Sequence, residues 1–207
     1  SAAIDEVGVP TPVTDRIGTA LNKASGELRA AVTHLFAGGG KLLRPALVIL
    51  CARAVGSGSA PSTPQIQEMT GSVYDVAAAV ELIHVASLIH DDIIDRASTR
   101  RNRPSVNTLW NNHMAVLAGD FLFAEAHATK GAIGLMTQAI SAMCQGEIDQ
   151  RQQAFDANIK ESSYLDRVEK KTAKLLAASC EAGARVIGAD EFLCRALADY
   201  GRYLGLA

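Results

Sequence analysis

The residues with the clearest chemical potential form the acidic run DDIID at positions 91–95, which ends a long apolar segment. On a helix, Asp91 and Asp95 are four residues apart and share a face, Asp92 flanks them, and His84 lies two turns earlier. Three carboxylates at a helix C-terminus repel one another and meet the negative end of the helix dipole. A cation should compensate them, and oxygen-only ligands suit Mg²⁺, which also takes oxygens from substrate phosphates.

Two arginines, Arg100 and Arg101, follow the acidic run within one short stretch. Guanidinium groups bind phosphate through paired hydrogen bonds, so acids and arginines together are consistent with Mg²⁺ and a polyphosphate bound between them. The alternative is a solvated acidic helix end that forms salt bridges with these arginines, which contribute little at a surface.

The segment GGGKLLRP at 38–45 combines a glycine loop with Lys41 and Arg44. Glycines let a backbone approach a ligand, and the start of a helix attracts anions. The spacing is not that of a P-loop, and no strand precedes it. The alternative is a glycine helix cap beside two solvated cations.

A fourth candidate is the pair Lys171-Thr172. Leu165, Val168, Thr172 and Leu175 share one helical face, so we expect Thr172 to point inward. By pattern alone, a solvated lysine is the more ordinary explanation of Lys171.

The elements that must position these groups are predicted to be helical. All six prolines lie at or before position 104, apolar residues recur at helical spacing, and alternating strand patterns are absent. We expect one all-α domain over residues 1–207, folded as a bundle because several central helices are apolar on more than one face. The expected elements are a loose arm at 1–12, loops at 57–63 and 96–105, and helices at 13–36, 44–56, 64–96, 106–130, 132–160, 162–187 and 190–207.

Composition limits the possible functions. The formal net charge of −2 excludes a broad electrostatic surface for nucleic acid. No apolar run approaches the length of a membrane span, so we expect no transmembrane segment. The four cysteines are far apart, without a CxxC pair, and each stands among apolar residues, which is typical of reduced, buried thiols in a cytoplasmic protein.

Taken together, the motifs resemble those of the polyprenyl synthetase family, the trans-isoprenyl diphosphate synthases. GGGKLLRP is similar to one family box, and HVASLIHDDIIDRASTRR resembles the first aspartate-rich motif with its arginine pair. AVLAGDFLFAEA, QGEIDQ, KKTA and YGRYLGLA match further family stretches in the family's order. The resemblance implies an isoprenoid synthase-type helical bundle around a central cavity and a homodimer.

The resemblance also implies a reaction, in which isopentenyl diphosphate condenses with an allylic diphosphate to extend an all-trans chain. Asp91 and Asp95 would ligate Mg²⁺ that bridges the allylic diphosphate, with Asp92 in support. Arg100 would touch that diphosphate, which Lys171 and Thr172 would help to hold. The diphosphate of isopentenyl diphosphate would be bound by Lys41, Arg44, His84 and Arg101. The residues expected to be catalytic are Asp91, Asp92, Asp95, Arg100 and Lys171.

Product length is expected to depend on Ala86 and Ser87, one turn before Asp91. In the resembling family, bulky aromatics there give short products, so two small residues indicate a product longer than fifteen carbons. The alternative is that small residues merely permit close helix packing.

The sequence departs from the family pattern at three places. Leu42 stands where many members have arginine, and Asn102 where many have glycine. YGRYLGLA would lead into a second aspartate-rich motif, but the chain stops at Ala207, so we expect a C-terminally incomplete domain. Two alternative functions therefore stay open: a terpene cyclase, which needs no isopentenyl diphosphate site, and a non-catalytic subunit of a heteromeric prenyl synthase.

Overall fold

A computed structural model describes residues 9–56, 63–128 and 133–207. Most of the predicted loop at 57–63 and most of the predicted arm at 1–12 lie outside these residues. The helices are α1 (Thr11–Asn22), α2 (Gly26–Ala37), α3 (Leu43–Gly56), α4 (Thr63–Ile94), α5 (Val106–Leu109), α6 (Asn112–His127), α7 (Ile133–Gln152), α8 (Glu161–Val168), α9 (Lys174–Val186) and α10 (Glu191–Leu206). A π-helical segment (Glu169–Ala173) joins α8 to α9, and strands β1 (Thr99–Arg100) and β2 (Arg103–Pro104) form a small hairpin. The prediction of an all-α fold is confirmed.

The chain divides into two compact units. Of the described residues, the first unit contains 9–43 and 78–128, and the second contains 44–56, 63–77 and 133–207. In the first unit α2 packs against α1, α5 and α6; in the second, α9 and α10 pack along each other and against the π-helical segment.

Helix α4 contributes its C-terminal part to the first unit and is apolar around its circumference there. Ala78, Val80, Ile83, Ala86 and Ile89 are all buried. A helix that is apolar on every face is enclosed by its neighbours, as the sequence predicted. The expectation that no apolar run reaches the length of a membrane span is wrong, because residues 70–94 are long and apolar enough for one. In the structure, however, 67% of the most apolar window is buried inside the protein. Burial of that kind is found in core helices.

Several local expectations are wrong. The helix predicted at 106–130 is two helices, α5 and α6, and the helix predicted at 132–160 ends at Gln152. The helix predicted at 13–36 is two helices, because the chain turns at Gly26, whose φ of +55° lies outside the α-helical range. The loop predicted at 96–105 contains the hairpin, whose two-residue strands are too short to give an alternating pattern. Cys51, Cys180 and Cys194 are buried as expected, but Cys144 is exposed on α7.

Candidate functional site

The three aspartates at the end of α4 lie in different environments. Asp92 is buried, Asp91 is half-buried and Asp95 is exposed. The Asp95 amide donates to the carbonyl oxygen of Asp91 at 2.8 Å, so the helical turn that places these two carboxylates on one face is formed. Arg96 then adopts a φ of +52° and ends the helix.

Arg100 binds Asp92 directly. Its Nε lies 2.9 Å from both carboxylate oxygens, and its Nη2 lies 2.8 Å from Oδ1. The Asp92 side chain is 2% exposed and that of Arg100 is 31% exposed. The hydrogen bond with Asp92 raises the pKa of Arg100 above its usual value, and the charges of all three aspartates act in the same direction. A salt bridge, one part of the alternative for the acidic run, therefore forms in this pair, but the burial of Asp92 contradicts a solvated helix end at that residue.

Arg101 lies against the glycine loop. A Cβ built on Gly40 would come within 2.9 Å of Arg101 Nη1, so the guanidinium lies close against the backbone of Gly40. The exposed Lys41 follows Gly40 directly. Arg101 also lines a pocket of about 340 Å³ whose walls are mostly apolar side chains of α1, α2 and α4. The first unit thus brings two of the predicted isopentenyl diphosphate ligands to one loop.

Asn102 and Leu42, the two residues that differ from the family pattern, both have a left-handed backbone conformation. Asn102, at the tip of the hairpin, has φ +60°, and Leu42, after the glycine loop, has φ +47°. Glycine adopts this conformation without strain and asparagine tolerates it well, which explains the exchange at position 102. For Leu42 the structure provides no comparable explanation.

The remaining predicted residues of the first unit lie on α4. His84 is half-buried, two turns before Asp91. Ala86 is fully buried, whereas Ser87 is half-buried and its hydroxyl donates to the carbonyl oxygen of His84 at 2.8 Å. Of the two predicted chain-length residues, only Ser87 therefore has exposed surface to offer a ligand.

Three predicted residues belong to the second unit. Arg44 is half-buried at the start of α3. Lys171 Nζ donates to Glu147 Oε2 at 2.6 Å and to Gln150 Oε1 at 3.2 Å, so it is not a freely solvated lysine. Thr172 is exposed, and its predicted inward orientation is wrong. The reason is the π-helical segment 169–173, whose wider turn takes Thr172 off the face that an α-helix would give it.

Sequence reasoning missed several residues that shape the site. Glu147 and Gln150 accept hydrogen bonds from Lys171, and both lie in the stretch QGEIDQ, which matches the family pattern. His90, directly before Asp91, packs over Gly119 of α6, where a Cβ would lie 2.2 Å from its Nε2. The histidine type and its place beside the acidic run were available signals, but its partner is far along the chain and could not be found from local pattern.

The carboxylates at the end of α4 fit a Mg²⁺ site in which phosphate oxygens of a substrate complete the metal's coordination. Asp92 is bound by Arg100, and the carboxylates of Asp91 and Asp95 share one face at the end of α4. One or two carboxylates plus phosphate oxygens is the usual protein site for this ion. Within the described ranges, no three or more His, Cys, Asp or Glu side chains are grouped so that they could hold a metal by themselves.

Comparison with known proteins decides the family. The model of the family described as polyprenyl synthetase matches residues 25–207. The chain belongs to the polyprenyl synthetase family. It is 39% identical to a prenyl transferase from Synechocystis sp. over 201 residues, which are 94% of this chain and 60% of that protein. It is 36% identical to heptaprenyl diphosphate synthase component 2 of Geobacillus stearothermophilus, with 94% of this chain and 59% of that protein covered.

Solved polyprenyl synthetase structures confirm the fold. The crystal structure of a polyprenyl synthase from Caulobacter crescentus CB15, complexed with calcium and isoprenyl diphosphate, matches with a TM-score of 0.82 at 35% identity. The match covers 99% of this chain and 60% of that one. The chain thus spans about 60% of the length of these relatives.

Proposed function

We propose that the protein is a Mg²⁺-dependent trans-polyprenyl diphosphate synthase that adds isopentenyl diphosphate to an allylic diphosphate. The observation that carries the proposal is the acidic end of α4, where Arg100 binds Asp92 and where Asp91 and Asp95 share one face, in a chain that belongs to the polyprenyl synthetase family. The product would be geranylgeranyl diphosphate or longer.

The chain's own residues would act by binding charge and excluding water. Asp91 and Asp95 would hold Mg²⁺, which would supply Lewis-acid stabilisation of the diphosphate's negative charge. Arg100, paired with Asp92, would add positive charge beside the diphosphate, where charge develops as the allylic C–O bond breaks. The apolar side chains of α4 that precede the acids would keep water from the resulting carbocation.

The substrate-binding side chains would fall into two groups, one for each substrate. Lys41, Arg44, His84 and Arg101 would bind the diphosphate of isopentenyl diphosphate, and Lys171 with Thr172 would hold the allylic one. Lys171 is paired with Glu147 in the structure, so binding would exchange a carboxylate partner for a diphosphate oxygen. Such an exchange keeps the ammonium paired but releases the largely buried Glu147 carboxylate, a cost that the diphosphate contact must offset.

The proposal is tested by equilibrium binding of both substrates. With Mg²⁺ present, calorimetry should show that purified residues 1–207 bind isopentenyl diphosphate and farnesyl diphosphate. Failure to bind either one would overturn the proposal. Binding of farnesyl diphosphate alone would instead favour the terpene cyclase alternative, which needs no isopentenyl diphosphate site.

We propose further that residues 1–207 belong to a single prenyl synthase domain and that catalysis also needs the second acidic motif of the family pattern. The relatives compared are longer, and the resemblance places a second acidic motif after YGRYLGLA. Incorporation of radiolabelled isopentenyl diphosphate by residues 1–207 alone should therefore stay well below about one turnover per second, an ordinary enzyme rate. Enzyme-like rates would show that a second motif is dispensable. Elongation that appears only with a different protein would favour the subunit alternative, which the name "component 2" of one relative also supports.

The family resemblance also supports a cytoplasmic homodimer. Leu109, Val116 and Leu117 are each exposed on α5 and α6 and are apolar side chains that a second copy could cover. Light scattering coupled to gel filtration tests the dimer, and a monomer at micromolar concentration would contradict it.

Ser87 should influence which chain lengths bind. Ser87→Phe should weaken binding of geranylgeranyl diphosphate at least about tenfold more than binding of geranyl diphosphate, because the ring fills space that a longer tail needs. Ala86→Phe is the matched comparison: Ala86 is fully buried, so its replacement should overpack the core and cost about 1–3 kcal/mol of stability. If Ser87→Phe weakened the binding of geranyl diphosphate and geranylgeranyl diphosphate equally, Ser87 would have no role in selecting chain length.

A further inference from the structure

The hairpin that carries Arg100 and Arg101 depends on contacts outside itself. It has two residue pairs, Thr99 with Pro104 and Arg100 with Arg103, and so short a hairpin is only marginally stable alone. Its turn residues Arg101 and Asn102 have φ values of +50° and +60°, a conformation that costs free energy for side chains other than glycine. Something must hold this turn in place.

Two of these outside contacts are already apparent. Asp92 fixes strand β1 through Arg100. Ser105 fixes the base of the hairpin, because its amide donates to the carbonyl oxygen of Ser98 and its hydroxyl donates to that of Ala97. Strand β2, which leads back from the turn, needs a partner of its own.

His34 of α2 contacts both residues of strand β2. His34 Nε2 lies 2.8 Å from the carbonyl oxygen of Pro104, and Nδ1 lies 3.3 Å from Arg103 Nη2. Because a guanidinium nitrogen only donates, Nδ1 accepts, and the ring proton is therefore assigned to Nε2, which donates to Pro104. The ring also meets Trp110 edge-on at 5.7 Å. Both ring nitrogens of His34 are thus engaged by the strand that follows the turn.

We propose that His34 is a positioning residue that fixes the hairpin turn and thereby places Arg101 over the glycine loop to bind a diphosphate. The placement of Arg101 follows from the hairpin and from its contact with Gly40; its ligand rests on the proposed function. His34 lies in the last turn of α2, and the glycines at 38–40 and Lys41 follow that helix. Helix α2 therefore contacts the arginine hairpin and also leads into the segment that carries Lys41. His34 would act through Arg103 and the backbone, and it would not touch the substrate.

The first test measures the turn itself and does not depend on function. In limited trypsin digestion, mass spectrometry should show cleavage of the Arg101–Asn102 bond about tenfold faster in His34→Leu than in the unchanged protein, since two hydrogen bonds to β2 are lost. Cleavage after Arg53 and Lys174 serves as the internal reference for global unfolding. His113→Leu, at an exposed histidine of α6, is the matched control and should leave cleavage unchanged.

The second test is rescue and substrate selectivity. A glutamine can donate through its amide nitrogen and accept through its oxygen, so His34→Gln should restore slow cleavage. His34→Leu should weaken calorimetric binding of isopentenyl diphosphate about tenfold and leave binding of farnesyl diphosphate within about twofold.

These outcomes separate the two proposals. If the unchanged protein binds no diphosphate, the proposed function fails, yet the cleavage experiment still tests the role of His34. Unchanged cleavage in His34→Leu, or an equal rise at Arg53 and Lys174, would overturn the positioning role. So would failure of His34→Gln to restore protection, or equal weakening of both substrates.

Discussion

Asp91→Ala should lower the Mg²⁺-dependent affinity for farnesyl diphosphate at least about a hundredfold, because a main metal ligand is lost where the charge must be compensated. The free energy of unfolding should change little or rise, since a negative charge is removed next to Asp92 and Asp95. Calorimetry with and without Mg²⁺ measures the first quantity, and urea denaturation measures the second.

The control for this variant is Asp15→Ala, at an exposed aspartate of α1. It changes the net charge equally and should leave binding unaffected. Farnesyl diphosphate affinity in Asp91→Ala within about threefold of the unchanged protein would contradict the assignment of Asp91 as a ligand.

Arg100→Ala should have its largest effect on stability. It would leave the Asp92 carboxylate, 2% exposed, without the guanidinium that now binds both of its oxygens. Breaking a buried ion pair from one side costs about 3 kcal/mol or more, because the remaining charge is stranded away from water. Urea denaturation should show this loss as a lower free energy of unfolding.

The matched control for Arg100→Ala is Arg96→Ala, at the exposed arginine directly after the acidic run. It removes the same charge from the same loop without uncovering a buried carboxylate. The free energy of unfolding should therefore change by less than about 0.5 kcal/mol. Equal losses in the two variants would mean that burial of Asp92 is not the cause.

A double-mutant cycle isolates the pair. Asp92→Asn combined with Arg100→Ala should cost at least about 1 kcal/mol less than the sum of the two single changes, because residues in direct contact are not additive. Additivity within about 0.5 kcal/mol would mean that Asp92 and Arg100 do not stabilise the fold through each other.

Much of the candidate site could be predicted because its groups are close in the sequence. Asp91 and Asp95 needed only a helix to share a face, and their predicted role as metal ligands is what the family resemblance implies. The sequence could not predict which of the three aspartates forms a salt bridge, because the pairing of Asp92 with Arg100 depends on a hairpin whose strands are two residues long. The contact of His34 with β2 joins positions 70 residues apart, which no local pattern reports.

The fold was predictable where apolar residues repeat with the α-helical period, and prediction failed where the backbone leaves that period. At Gly26 a left-handed residue divides one apolar pattern between two helices. At 169–173 the π-helical turn changes the phase of the pattern, so Thr172 is exposed although Ala173 and Leu175 are buried. Both deviations occupy only a few residues, and the surrounding periodicity conceals them.

The close packing around α9 has a consequence for engineering. A Cβ on Gly183 would lie 2.2 Å from the carbonyl oxygen of Val48, and one on Gly201 would lie 2.5 Å from that of Leu176, so α3 and α10 each approach the backbone of α9 where a glycine stands. A mutant library that randomised these positions would consist mostly of misfolded clones, since even a methyl group would push two helices apart. Diversity introduced on the exposed face of α10, at Phe192 or Tyr203, would leave those contacts intact and yield far more variants that can be screened.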